Sequence, residues 1–456
     1  NIFGTYDINT MEYDFSGKLL RSVHRHDKAW PVARFVRDWT KYSYDHAGRM
    51  ITLTKKIGGS ATTERKVAVN SYDELGRLKN KSLGDGLENQ FYEYNTRGWL
   101  LGANRGYVRG DSTKYFGYEL AYDNSQRIIS GSYSNPQYQG NISGLVWKSK
   151  GDNQARSYDF AYDAASRLVS ADFNQYTSGS FNKTAGLDFS VSNITYDANG
   201  NLLTMRQAGW KGSSSSFIDQ LKYTYSIYSN KLLSVYDTVN DPTLKLGDFK
   251  DRTGAGQDYA YDVNGNLTKD FNKGIDTILY THLNTPYEIR MQGKGKILYT
   301  NDNLGTKWRK VVYDSTSTPV KLTTWVYMDN FVYRNDTLEF YQHPEGRARY
   351  DTTQTTGEVT KVEFDYFLKD HLGNVRMVLT EKKDTTKYEP LTFEDANIAL
   401  QDKVWENKTG SSIDVSSSRI ARPGAFGTSG DNGNYAMLVR KSLGAIGAGK
   451  LLKVMA

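Results

Sequence analysis

Aromatic and β-branched residues alternate with polar ones in short runs along most of this chain, as in Tyr42/Tyr44, Tyr92/Tyr94, Phe160/Tyr162, Ile194/Tyr196, Tyr223/Tyr225 and Tyr259/Tyr261. A period of two places each pair on one face of a β-strand. Most runs end in one phrase: an aromatic, then Asp or Asn, two variable residues, Gly, a polar residue and an aliphatic. Tyr72-Asp73-Glu74-Leu75-Gly76-Arg77-Leu78 states it most fully, and further copies begin at Tyr13, Tyr44, Tyr94, Tyr122, Tyr162, Tyr196, Tyr225, Tyr261 and, loosely, Tyr280. Gln126 and Ser166 replace the Gly in two copies, and the Tyr225 copy carries Ser226 and one extra residue.

The phrase predicts a hairpin tip. Asp or Asn starts a tight turn by bonding its own nearby backbone, and Gly supplies the positive φ that ends it. The return strand opens with a polar residue and an aliphatic, as in Arg49-Met50, Arg77-Leu78, Asn201-Leu202 and Asn266-Leu267. The turn set is therefore Tyr44, Asp45 and Gly48; Tyr72, Asp73 and Gly76; Tyr196, Asp197 and Gly200; Tyr261, Asp262 and Gly265. These Asp residues are expected to form turns, not to act as acids or metal ligands. Copies start 31, 28, 22, 28, 40, 34, 29, 36 and 19 residues apart, too unevenly for the matched blades of a propeller. A continuous antiparallel sheet absorbs such spacing, because loops of any length, such as Gly212 to Ser216, sit at its edge.

Composition sharpens this picture. Only 38% of the 456 residues are hydrophobic, Tyr supplies 34 of them, and the mean hydropathy is −0.64. That predicts a thin curved sheet wetted on both faces, with Tyr rings packed and their hydroxyls in water. Cys is absent, so neither disulfides nor thiolate metal sites are available. The net charge of +7 comes from bases interleaved with 51 acids, without a like-charge run, which argues against nucleic acid as a partner. No apolar run is long enough to span a bilayer. His24 and His26, with Asp27, form the nearest approach to a metal-ligand spacing, but a solvated strand face is the better reading. There is no nucleophile elbow, no helical His pair and no phosphate-binding Gly loop. Residues 1–456 are thus expected to be non-enzymatic, with no catalytic, cofactor-binding or metal residues.

The pattern divides the chain into 1–315, which carries the repeats; 316–388, with strands such as Trp325 to Tyr333 and the stretch Asp370-His371-Leu372-Gly373-Asn374-Val375-Arg376; and 389–456, where Gly and Ser rise and a short all-β module begins. Neither end carries a start or stop signal, which reads as a piece of a longer protein.

The repeats resemble the YD repeats of the Rhs (rearrangement hotspot) family, which includes the cocoon subunits of insecticidal toxin complexes and the teneurins. Asp370 to Arg376 is similar to the signature of the Rhs repeat-associated core in its Bacteroidota form, and the tail resembles the start of a β-sandwich. The resemblance covers about residues 10–380. It implies an all-β fold, a long antiparallel sheet of repeat hairpins spiralling into a hollow shell. It also implies a C-terminal effector as cargo and export to the cell surface or medium through type IX secretion machinery. Members that release a toxin end their core with Asp-Pro-x-Gly motifs; here the one Asp-Pro is Asp241-Pro242, followed by Thr243-Leu244, so that protease is not carried over. Asp370 and Gly373 are expected to form another hairpin turn, not an acid–base pair with His371. Asp237-Thr238-Val239, Asp276-Thr277-Ile278 and Asp336-Thr337-Leu338 are similar to an O-glycosylation motif of exported Bacteroidota proteins. Two functions stay open: a shell that encloses or presents an effector in contact with competitors, and a cell-surface binder whose aromatic rows, with Trp99, Trp147 and Trp210, meet glycans.

Overall fold

The computed structural model describes residues 5–28, 33–59, 62–241, 244, 247–254, 256–350 and 357–381; the sandwich module expected at 389–456 lies outside them. The described chain is almost wholly antiparallel β, with one short helix, Arg105–Arg109. Seventeen consecutive strands, from Thr5–Tyr13 to Leu232–Asp237, build the first sheet, each pairing with the next except that Leu168–Thr177 pairs with both Ser180–Asn182 and Val191–Tyr196; the short strand Gly357–Glu358 joins as an eighteenth, parallel to Arg34–Tyr44. A second sheet of twelve strands runs from Tyr259–Tyr261 to Val375–Thr380. It crosses position 315 unbroken, because Lys307–Asp314 pairs with Lys321–Met328.

The hairpins form where the phrase occurs, and one copy shows why. The Asp45 N–H donates to Arg49 O (2.9 Å) and the Gly48 N–H to Asp45 O (2.9 Å). Asp45 Oδ1 accepts from the N–H groups of Ala47 (3.0 Å) and Arg49 (2.8 Å), so one carboxylate oxygen satisfies two turn donors. Gly48 sits at φ 80°, where a side chain is strained. The same bonds recur at Asp73, Asp197 and Asp262, with Gly76, Gly200 and Gly265 at φ 82°, 86° and 86°. Where Gly is missing the backbone still adopts the conformation, at Ser166 (φ 61°) and Asn284 (φ 57°), while the Tyr225 copy, one residue longer, places its positive φ at Tyr228 (58°).

Two copies depart from expectation. The Tyr122 copy makes no tight turn; the buried Glu119 carboxylate instead takes the Ile128 N–H (2.9 Å) and the Tyr133 hydroxyl (3.1 Å), holding residues 122–143 as a long connection. Conversely, Asp302 makes a full turn, donating to Thr306 O (2.9 Å) with Gly305 at φ 85°. A scan keyed on Tyr passes over it, because Asn301 takes the aromatic's place.

The core sits where the two ends of this sheet system overlap. The last strands of the second sheet contribute Val326, Met328, Phe331, Tyr333, Tyr341, Phe364, Tyr366 and Leu368, packed with Val36, Leu53, Ile57, Leu83, Phe116 and Leu120 of the first. Burying a side chain such as Phe331 stabilises by about 1.5–3 kcal/mol, and this overlap concentrates such residues. A sheet wetted on both faces therefore does not describe the strands Arg34–Tyr44 to Phe116–Ala121, which the second sheet covers on one face. Farther along, buried apolar residues thin to isolated positions such as Ile194, Val235, Ile278 and Val311.

Candidate functional site: the hairpin edge, the inner wall and the signature hairpin

The predicted Tyr-Asp-Gly residues lie along one edge, and their chemistry is mutual. Most motif Tyr hydroxyls donate to the carbonyl of the aliphatic residue that closes the preceding copy: Tyr44 to Leu19 (2.8 Å), Tyr72 to Met50 (2.8 Å), Tyr196 to Leu168 (2.7 Å) and Tyr261 to Leu232 (2.9 Å); Tyr162 instead reaches Ile142. The hydroxyls expected in water thus stitch repeat to repeat, since the turn bulge leaves that carbonyl outside the strand ladder. The cation of one copy covers the ring of the next, with Arg49 over Tyr72 and Arg77 over Tyr94, both at 4.8 Å. Where Asn replaces Arg, Asn201 and Asn266 hold Asp197 and Asp262 at 2.8 and 2.9 Å. Hydrogen bonds from the Arg49 backbone and side chain lower the Asp45 pKa below the ordinary carboxylate value, and Asn201 does the same for Asp197. A carboxylate so held is an acceptor and a poor proton donor.

The signature hairpin repeats this chemistry facing inward. The Asp370 N–H donates to Asn374 O (2.9 Å), its Oδ1 accepts from the N–H groups of Leu372 and Asn374 (2.9 Å each), and Gly373 stands at φ 83°. Asp370 Oδ2 is held by Arg376 Nε at 2.7 Å. Burial raises the Asp370 pKa, but bonds from Arg376 and Asn374 outweigh it and the net shift is downward. His371 places its ring 6.1 Å from that of Tyr118, and burial lowers its pKa. Asp370 and His371 are therefore separately engaged, one by the turn and one by the wall. The hairpin closes one side of a cavity of about 540 Å³ lined by Phe116, Tyr118, Leu145, Trp147, Tyr158 and Phe160 among others. Trp147 stacks on Tyr158 at 5.5 Å and Trp99 packs on Tyr122 at 5.0 Å, so each indole has a neighbouring aromatic ring against it.

Two polar clusters lie between the overlapping sheets, and the first corrects a sequence expectation. His24 and His26 do not line a solvated face; they are 6% and 0% exposed, His26 stacked on Phe331 and His24 meeting the same ring edge-on. Alternation sends Asp27 to the opposite face, where Arg25 engages it, and Asp7 of the neighbouring strand takes its place. Asp7 Oδ1 binds His24 Nε2 (2.9 Å) and His26 Nδ1 (2.7 Å), while His26 Nε2 pairs with the Tyr333 hydroxyl (2.7 Å). In the second cluster Lys55 donates to Asp38 (2.6 Å) and Thr40 (2.7 Å), and the Tyr341 hydroxyl donates to the same carboxylate. His343, beside it, has its pKa lowered to about 4 by burial and then by the Lys55 charge. Asp7, Asp38, Lys55, Tyr333 and Tyr341 carried no signal in the sequence, since the tyrosines lie about 300 positions from His26 and Asp38, and Asp7 and Lys55 sit on neighbouring strands 17–19 positions from their partners.

The described site thus offers no nucleophile with an adjacent free base; it offers a stitched edge, an aromatic-walled cavity and polar pins between sheets. No family model matches the sequence, and no curated protein matches it. Solved structures do. The Tc holotoxin pore of Photorhabdus luminescens, in a TccC3 point mutant, matches with a TM-score of 0.54 at 14% identity over 82% of this chain. The complex TcdB2–TccC3–Cdc42 gives the same values, and TcdB2–TccC3 without its hypervariable C-terminal region gives 0.53 at 14% over 82%. The chain spans 17% of the length of each of those chains. At this identity the likeness shows the fold alone: the described residues share the large antiparallel-sheet architecture of those toxin chains.

Proposed function

We propose that this chain is the wall of a shell that encloses or presents a C-terminal effector, in an Rhs/YD-repeat protein of the Bacteroidota type. The observation that carries this reading is the curled, overlapping sheet, similar in fold to Tc toxin chains, whose motif acids are consumed in holding the wall together. In this reading residues 1–456 catalyse nothing, and the effector is the partner. Confinement keeps an unfolded cargo from acting or aggregating until release. The protein is exported to the surface or medium, with type IX machinery as the route, and it acts between competing cells. The inward packing of Trp99 and Trp147 gives the glycan-binding alternative no support.

Limited proteolysis of the full-length native protein tests this. The segment following Glu381 is expected to survive protease concentrations that digest the same segment made alone. Equal cleavage in both settings would exclude enclosure.

A further inference from the structure

Between the strands Leu232–Asp237 and Tyr259–Tyr261, where the first sheet gives way to the second, side chains take the place of a pairing strand. The Val235 N–H donates to Asp258 Oδ2 (2.6 Å) and the Asp237 N–H to Asp251 Oδ2 (3.1 Å). Beside this seam three carboxylates converge: Asp219 from the strand Ser214–Tyr225, Asp237 from a strand end and Asp248 from the connection. One oxygen of each lies within 4.8 Å of the other two. Asp219 and Asp237 are 2% and 3% exposed, and the Asp248 side chain is fully buried.

These carboxylates are only partly satisfied. Asp219 Oδ1 accepts from the Phe249 N–H (2.7 Å), and Asp237 Oδ1 from the N–H groups of Gln220 (2.8 Å) and Val239 (3.1 Å). Lys250 meets the second oxygen of Asp248. Asp237 Oδ2 and Asp248 Oδ1, however, are buried and accept a hydrogen bond from no described residue. Three acids facing one lysine out of water carry uncompensated negative charge, and each orphan oxygen adds a desolvation cost of about 1–3 kcal/mol. A bound cation removes both penalties.

We propose that Asp219, Asp237 and Asp248 form a binding site for a hard divalent cation of the calcium class, which pins the connection across the seam between the two sheets. The donor set decides the class: it is all oxygen, with no His or thiolate to favour zinc or copper. Its spread fits oxygens placed around one ion at about 2.3–2.6 Å, and the flexible coordination of calcium tolerates an irregular set better than the strict octahedron of magnesium. The remaining ligand positions are left to water.

The test uses the 456-residue chain stripped with chelator. Calorimetric titration with Ca²⁺, and Tb³⁺ luminescence as a second probe, should show one ion bound per chain, with a rise in thermal midpoint at about 5 mM Ca²⁺. Asp237→Asn keeps the Oδ1 acceptor for both backbone N–H groups but removes the charge, so it should weaken Ca²⁺ binding at least about 10-fold. In chelator the same variant should be no less stable than the parent, because it relieves buried repulsion. Asp248→Asn, in the connection, should behave alike and guards against a folding defect at Asp237. A parent chain that takes up neither ion, or a pair of variants that bind as the parent does, overturns the proposal.

Discussion

Deleting the hydroxyl of a motif tyrosine isolates what binds one repeat to the next. Tyr196→Phe removes the 2.7 Å bond to Leu168 O and leaves the ring beneath Arg167 (4.6 Å), so it should cost about 0.5–1.5 kcal/mol in denaturant melts. A loss well below this range would mean that the ring, and not the hydroxyl, sets the spacing. Gly76→Val meets a different obstacle. With φ at 82° the strain is in the backbone, and an added Cβ also comes within 3.1 Å of Arg49 Nη1, so about 1–3 kcal/mol is expected; equal thermal midpoints would refute the turn geometry. His343 gives the pH dependence. Its Nδ1 accepts the Glu345 N–H (3.3 Å) and its buried Nε2 has no described partner, so burial and Lys55 hold the folded-state pKa at about 4 against 6.5 for the free side chain. The folded form resists protonation. This stabilisation is therefore complete above pH 6.5 and is lost as pH falls towards 4, by on the order of 3 kcal/mol once the ring must charge. Unfolding free energies at pH 7 and 5 should differ less in His343→Gln than in the parent, because most carboxylates stay ionised over that interval.

Between elements, the pin joining the strand Arg34–Tyr44 to the strand Thr337–His343 is a buried ion pair with a phenol: Lys55, Asp38 and Tyr341. Burial lowers the Lys55 pKa while Asp38 opposes that shift. Removing one partner strands the other, so Asp38→Ala should cost about 3–5 kcal/mol. The double variant Asp38→Leu with Lys55→Met should cost much less than the two single changes summed, as read in a double-mutant cycle of unfolding free energies. Additive losses would show that the charges do not sense one another. This pin also marks how far sequence reading reaches. Hairpin tips were legible because Asp45 and Gly48 act within five residues, and period-two alternation gave the strands. The second sheet lying over the first was not legible: Phe331 and Val36 meet through curvature that no local pattern encodes. The same curvature turned His24 and His26 from a surface pair into a buried one. Gln126 failed to make a turn because Glu119, close in space, offered the chain a better partner.

For the whole molecule, the overlap makes cooperativity uneven. In an open array each repeat is held only by its neighbours, and damage spreads locally along the chain. Here the strands from Leu19–Lys28 to Phe116–Ala121 also carry the second sheet, whereas strands from Val191–Tyr196 to Leu232–Asp237 contribute nothing to that shared core. Phe331 is fully buried in it, 4.3 Å from the His26 ring and 4.9 Å from that of Tyr341. Phe331→Ala should cost about 3–5 kcal/mol, and the loss should be regional. Amide hydrogen exchange should quicken at Val36, Leu53 and Ile57 on one sheet and at Tyr333, Tyr341 and Tyr366 on the other. Amides of Leu221, in its own hairpin, and of Val235, donating to Asp258, should keep their rates. Uniform acceleration along the chain would mean that the wall opens as one body. Regional acceleration would show that the two sheets can part at the overlap without breaking the hairpins elsewhere.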